Sequence, residues 1–208
     1  MDATNLSDLY ELPLLDWSQI QADLDTGITQ EPDSGGPNRY TCWLTTINAD
    51  GGPHVTAVGA LWADGSFWFQ TGEGTRKGRN IARDPRCALS VSTHDFDLVV
   101  EGRASKITDG ETVAAMATRW AALGWPARVD ESGQALTAEY SAPSAGPPPW
   151  SVYRLDADQP PQWRPSHRVA QRAGDFDSRS KRRIDRSSCR VAPVLESRHV
   201  IDDHPVRL

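Results

Sequence analysis

The chain has 208 residues and a formal net charge of −6, from 22 Lys+Arg against 28 Asp+Glu. That length admits one domain of ordinary size plus an appendage, and no run approaches the roughly 18 apolar residues of a transmembrane helix. Three widely spaced cysteines, Cys42, Cys87 and Cys189, exclude a disulfide framework and a Cys-x-x-Cys zinc site.

Residues 1–38 open with a helix expected over Leu14 to Leu24, followed by the turn-rich stretch Glu31-Pro32-Asp33-Ser34-Gly35-Gly36-Pro37. From Tyr40 the pattern becomes β. Tyr40 to Asn48 ends at Asp50-Gly51-Gly52, His54 to Trp62 ends at Asp64-Gly65, and Ser66 to Thr71, with Phe67, Trp68 and Phe69 inside, ends at Gly72. Short β-type runs separated by Asp-Gly turns predict a hairpin meander. Thr75 to Asp84, closed by Pro85, reads as a short helix. Two strands follow, Arg86 to Thr93 and Phe96 to Ile107; Cys42 and Cys87 lie in apolar runs and read as buried thiols.

A longer helix begins at Thr108, which with Glu111 has the spacing of a capping box. Val113, Met116, Ala117, Trp120 and Leu123 recur at helical spacing as a core stripe, and Gly124 and Pro126 end the helix. Residues 141–150 form a proline-rich connector, and Trp150 to Leu155 reads as one more strand. Residues 157–208 show neither the strand nor the helix period and read as largely disordered. The division is therefore 1–39, an N-terminal helix and loop; 40–156, the β domain; and 157–208, an Arg-rich tail. The charge follows it, with a balance of −10 over residues 1–156 and +4 over 157–208.

The acidic domain is a poor partner for nucleic acid, and the tail lacks the interleaved aromatics of a base-stacking surface. Nucleic-acid and membrane partners are not expected. Met1-Asp2-Ala3-Thr4 lacks the basic and apolar regions of a signal peptide, which points to the cytoplasm. No metal site is expected: His94 beside Asp95 and Asp97 reads as a loop, and His167, His199, His204 and Cys189 lie in the tail. His54 reads as a strand-edge residue, with the cofactor or a partner subunit as alternatives to solvent.

The most informative segment is Thr75-Arg76-Lys77-Gly78-Arg79-Asn80, with Gly72 and Gly74 just before it. Cations in the first turn of a helix oppose its macrodipole. A sequence that accepts this cost suits an anion site, in which free N–H groups, a hydroxyl, a guanidinium and an ammonium converge on a phosphate. A solvated basic turn is the plain alternative.

The order of these elements, from Pro53-His54-Val55-Thr56-Ala57-Val58 through Phe67-Trp68-Phe69-Gln70-Thr71 and Gly74-Thr75-Arg76-Lys77 to Asn80 and Asp84-Pro85-Arg86, resembles the pyridoxamine 5′-phosphate oxidase-like superfamily of FMN-binding split barrels. Within it the likeness is nearest to the flavin/deazaflavin-dependent oxidoreductase group and covers about residues 14–155. The resemblance implies a mainly β fold with flanking helices, a six-stranded antiparallel split barrel. It implies phosphate anchors at Thr75, Arg76 and Lys77 with Asn80 as helper. The ring and its chain would lie along Thr56, Ala57, Val58 and Gly59 and the strand end Gln70 and Thr71.

It further implies a homodimer with the cofactor between subunits, and hydride transfer between FMN, or alternatively the deazaflavin coenzyme F-420, and a small organic substrate. The cofactor carries the chemistry, so no catalytic side chain is named. A non-catalytic flavin-binding protein is the rival expectation. The sequence departs from the oxidases at Thr56, where they have Arg, and at Asp97, aligned with their Gln, whose donor bond a carboxylate cannot make. Oxidation of pyridoxamine phosphate itself is therefore not expected. The tail lacks a recognisable closing strand, so the barrel is expected to end without one.

Overall fold

The computed structural model describes residues 16–28, 40–93 and 95–157, with the backbone of 162–165. Helix α1 (Trp17–Asp25) starts at Asp16, whose carboxylate accepts the N–H of Ser18 at 3.1 Å. It buries Ile20 and Leu24. Strands β1 (Cys42–Ile47), β2 (Pro53–Val58), β3 (Leu61–Ala63) and β4 (Ser66–Thr71) form two hairpins, β1–β2 and β3–β4, at opposite ends of the strand order, and not the continuous meander expected. The expected run from His54 to Trp62 is broken at Gly59-Ala60 into two strands. Helix α2 (Arg76–Arg83) then leads to β5 (Arg86–Ser92) and the long β6 (Phe96–Ile107).

Helix α3 (Gly110–Ala122) is capped by Asp109, which accepts the Thr112 N–H at 2.9 Å, and not by Thr108 as the spacing suggested. A carboxylate one residue later completes the same cap and adds charge complementarity at the helix start. Asp109→Ala is expected to cost about 1 kcal/mol, seen as a lower urea midpoint, with Thr108→Ala close to neutral. After α3 come a small hairpin of β7 (Arg128–Val129) and β8 (Leu136–Thr137), a 3₁₀ turn at Pro143–Ala145, β9 (Ser151–Ala157) and β10 (Gln162–Pro165). Both hairpin strands are too short to carry a period, which is why the sequence does not announce them.

The main sheet is antiparallel with eight strands, two more than expected, in the order β2-β1-β5-β6-β9-β4-β3, and β10 also pairs with β6. One edge of β6 serves β5 over residues 97–103. The other serves β10 at residues 96–99 and β9 at 102–107. At Gly102 a Cβ would lie 2.1 Å from the Asp156 carbonyl oxygen, so the close passage of β9 there requires glycine.

Strand β10 corrects the reading of the chain from 157 onward as disordered at its beginning. Its sequence, Gln162-Trp163-Arg164-Pro165, follows two prolines and ends in one, a composition met on sheet edges rather than in central strands. The remainder of the tail, His94, Cys189 and the three tail histidines lie outside the described residues. Among the described residues no helix is long and apolar enough to cross a membrane.

Strand β4 is buried on both faces, which explains its unbroken apolar run. Phe67 and Phe69 join one core with Leu44, Leu89, Leu98, Leu155 and α1, while Trp68 joins a second core with Val113, Met116, Trp120, Trp150 and Val152. Cys42 and Cys87 are buried in the first, and burial pushes the Cys42 thiol up to about 12. The end of β4, Gln70-Thr71, therefore emerges between two packed cores, beside the start of α2.

Candidate functional site

The start of α2 is built by hydroxyls. Thr75 Oγ1 accepts the Gly78 N–H at 3.1 Å, donates to the Gly72 carbonyl at 2.8 Å, and lies 2.9 Å from Thr71 Oγ1. Gly78 is needed for this approach, because a Cβ there would meet the Gly72 carbonyl oxygen at 2.5 Å. Arg76 is exposed, and Arg79 braces the turn by donating to the Gly74 carbonyl. Lys77 turns inward: it is 2 % exposed and donates Nζ to the Ser144 carbonyl. Burial pushes its ammonium down to about 8.

Of the Lys and Arg side chains described outside α2, all but Arg103 pair with a carboxylate: Arg86, Lys106, Arg119, Arg128 and Arg154. Arg76, Lys77, Arg79 and Arg83, all on one eight-residue helix, pair with none among the described residues. The nearby Glu73 is occupied, accepting from Lys106 and from Ser151 at 3.0 Å, bonds that hold its carboxyl below the usual range. His54 lies in the field of the same cations. Its imidazole is held below its ordinary value by burial first, then by Arg76 and Lys77.

A cleft of about 430 Å³ adjoins this cationic end. It is lined by Ala57, Val58, Gly59, Ala60 and Gln70, by Trp120, Leu123, Trp125 and Tyr140, and by Tyr40 and Ser144 among others. Ser144 links the two regions, since its carbonyl receives Lys77 and its hydroxyl donates to the Ala57 carbonyl at 3.3 Å. Gln70 Oε1 and Trp120 Nε1 are buried without a hydrogen-bond partner, and both residues line this cleft. Orphaned buried polar atoms are costly and uncommon in folded proteins.

Of the residues singled out from the sequence, the structure brings Ala57, Val58, Gly59 and Gln70 together in the cleft, and Thr75, Arg76 and Lys77 beside it. Thr56 is half-buried and does not line it, and Thr71 is buried against Thr75. Asn80 turns away, its amide donating to Thr46 Oγ1 and to Asn48 Oδ1, both at 3.1 Å, which ties α2 to β1. The aromatic wall was not legible as a site. Trp120 reads as core by its spacing, and Trp125 and Tyr140 come from the loops on either side of the β7–β8 hairpin, held together by Trp125 Nε1 donating to the Tyr140 carbonyl at 2.7 Å.

The curled antiparallel sheet thus carries a cationic helix start without carboxylate partners among the described residues, and an uncharged, aromatic-lined cleft beside it. The sequence profile of the pyridoxamine 5′-phosphate oxidase family matches residues 29–163. The chain belongs to that family, which places it at family level among flavin-related oxidoreductases.

Among its relatives is a pyridoxine/pyridoxamine 5′-phosphate oxidase of Cupriavidus necator, 31% identical over 154 residues, 66% of this chain and 71% of that one. Among solved structures it is similar to the conserved hypothetical protein Rv2991 of Mycobacterium tuberculosis, at 18% identity over 76% of this chain and 89% of that chain, with a TM-score of 0.48. It is also similar to an F420 reductase, at 19% identity over 64% of this chain and 91% of that chain, with a TM-score of 0.40.

Proposed function

We propose that the chain is an oxidoreductase that holds a flavin-type cofactor with its phosphate at the start of α2 and its ring in the adjoining cleft, and that passes a hydride between that cofactor and a small organic substrate. The observation that carries this reading is the pairing of unlike features in one place. The start of α2 presents Arg76, Lys77 and Arg79 without carboxylate partners among the described residues, and an uncharged, aromatic-lined cleft lies beside it, joined to Lys77 through Ser144. A flavin-type ring suits a cleft lined by the small residues Ala57, Gly59 and Ala60 and by the aromatic side chains of Trp120, Trp125 and Tyr140. When bound, the cofactor supplies the redox chemistry. This chain's residues anchor the phosphate, orient the ring and keep water from it.

FMN is the first choice and the deazaflavin coenzyme F-420 the alternative; the phosphate anchor serves both. The absorbance spectrum of the protein as isolated tests the reading and separates the two, because the chromophores absorb at different wavelengths. Protein that carries neither, and retains neither after incubation and desalting, would sink it.

We further propose a homodimer through the outer face of β1, β2 and β6. Trp43 (47% exposed) on β1, Val55 (55%) on the neighbouring β2 and Val99 (37%) on β6, one strand further across β5, are exposed there, and large apolar side chains on such a face mark an interface. Trp43→Asp is expected to convert the dimer to monomer in sedimentation analysis; an unchanged mass would count against this face.

A further inference from the structure

The turn that leads into α2 carries a carboxylate of its own, and the structure directs it away from the helix. Glu73 lies just before the Thr75 cap. The macrodipole favours a carboxylate at a helix start, and cations there favour it further. Arg76 and Arg79 are exposed on α2 and have no carboxylate partner among the described residues. Glu73 nevertheless turns to the sheet. Its Oε1 accepts from Lys106 Nζ on β6 and from Ser151 Oγ on β9, the latter at 3.0 Å.

Distance does not explain this choice. A Cβ on Gly78 would lie 3.0 Å from the Glu73 Cα, so the two Cα atoms are within about 5 Å of each other. Gly78 stands next to Arg79, and consecutive Cα atoms are about 3.8 Å apart, which puts the Glu73 Cα within about 9 Å of that of Arg79. A glutamate and an arginine side chain together span more than that. Arg79 also donates to the Gly74 carbonyl, which sets its guanidinium over the residue that follows Glu73.

The two bonds to the sheet are therefore what keeps the carboxylate off the α2 cations. They are not a large part of the fold. The Lys106 and Glu73 side chains are 45% and 64% exposed, and ion pairs so open to solvent contribute little to stability.

We infer that Lys106 and Ser151 are positioning residues: they sequester Glu73, which would otherwise pair with Arg76 and Arg79 and compete with an incoming anion. The inference deepens the phosphate-anchor reading and rests on it for what the uncovered cations bind. Neither Lys106 nor Ser151 has to touch the ligand. A released Glu73 would act twice, by occupying the guanidinium groups and by repelling a phosphate brought beside it.

The test titrates inorganic phosphate into the full-length protein, followed by calorimetry or phosphorus NMR. Lys106→Met keeps the apolar stem and removes the ammonium; it should weaken phosphate binding about fivefold, the strength of one exposed ion pair gained by the competitor. Ser151→Ala should weaken it in the same direction, and Lys106→Arg should keep the wild-type affinity. The deciding comparison is Lys106→Met in a Glu73→Gln background, where the loss should vanish. A lysine acting only through its own field, or only through the fold, would cost the same in both backgrounds, and that result would overturn the inference.

A second readout needs no ligand. In Lys106→Met the Nε–H resonances of Arg76 and Arg79 should move, and adding Glu73→Gln should return them toward their wild-type positions. Resonances that stay in place in Lys106→Met would also overturn the inference. Phosphate binding that depends on Arg76 but not on Lys106 removes this inference alone. Arginine resonances that move as stated, in a protein that binds no phosphate, support the sequestering of Glu73 and remove only the anchor reading.

Discussion

Arg76→Glu is expected to weaken retention of a phosphate-bearing cofactor by about 100-fold, with the far-ultraviolet circular dichroism unchanged. Arg76 is the first residue of α2, exposed, and without an ion pair to any described residue. Its replacement therefore disturbs little that holds the fold. A charge-assisted hydrogen bond to phosphate contributes roughly 1.5–3 kcal/mol, and a carboxylate in the same place adds repulsion.

The corresponding change at Lys77 would be a poor test. Glu there would set a buried carboxylate against the Ser144 carbonyl, acceptor against acceptor, and the loss of folding would mask any loss of binding. Lys77→Met keeps the apolar stem and removes only the ammonium. The cofactor-to-protein ratio after desalting, with a titration of inorganic phosphate, measures both variants. Undiminished binding in Arg76→Glu would remove α2 from the site.

The architecture was legible wherever a single period or a turn signal governed a segment. Phe96 to Ile107 matches β6 at both ends, and Asp64-Gly65 marks the β3–β4 turn, where Asp64 takes a positive φ of 52°. Thr75, the first residue of the expected short helix, is its N-cap in the structure, the common use of a hydroxyl at that place. What was hidden follows from the same physics. Trp120 lies on a helical stripe with Val113, Met116 and Ala117, and spacing cannot tell a residue that fills a core from one that fills the same core and also borders a cleft.

The sequence offers Lys77 as a phosphate anchor or as part of a solvated basic turn, and its burial is not legible because a charged residue in a polar run is normally solvated. Only the fold brings Ser144, 67 positions away, over its ammonium. Asn80 is one helical turn from the anchors as expected, yet the rotation of α2 gives its amide to β1 instead. Strand β10 was obscured because its pairing is chosen by the free edge of β6 and not by its own composition.

Lys77 also gives the site a pH signature. Its ammonium is held near 8 against an ordinary value of 10.5, with burial as the cause. Below about pH 8 the group is protonated in both folded and unfolded chains and contributes no slope, although the buried charge costs the fold roughly 3 kcal/mol. Between about 8 and 10.5 the unfolded chain binds more protons than the folded one, so this group makes stability rise with pH. Cys42 acts in the opposite sense: from 9.0 to about 12 the folded chain keeps a proton that the unfolded chain loses, and its contribution falls as pH rises.

The difference between wild type and Lys77→Met isolates the lysine, because Cys42 is common to both. Urea midpoints should show the variant's advantage shrinking as pH is raised from about 8 toward 10.5. Anion binding reverses the sign. A phosphate beside Nζ favours the ammonium, so above about pH 8 binding takes up a proton and affinity falls by up to about tenfold per pH unit. A phosphate monoester is already dianionic there, so its own titration does not imitate the effect. Calorimetry at pH 9 in two buffers of different ionisation enthalpy should show proton uptake in the wild type and none in Lys77→Met. Equal binding enthalpies in both buffers for the wild type would place Lys77 outside the anion site, leaving it as a brace between α2 and Ser144.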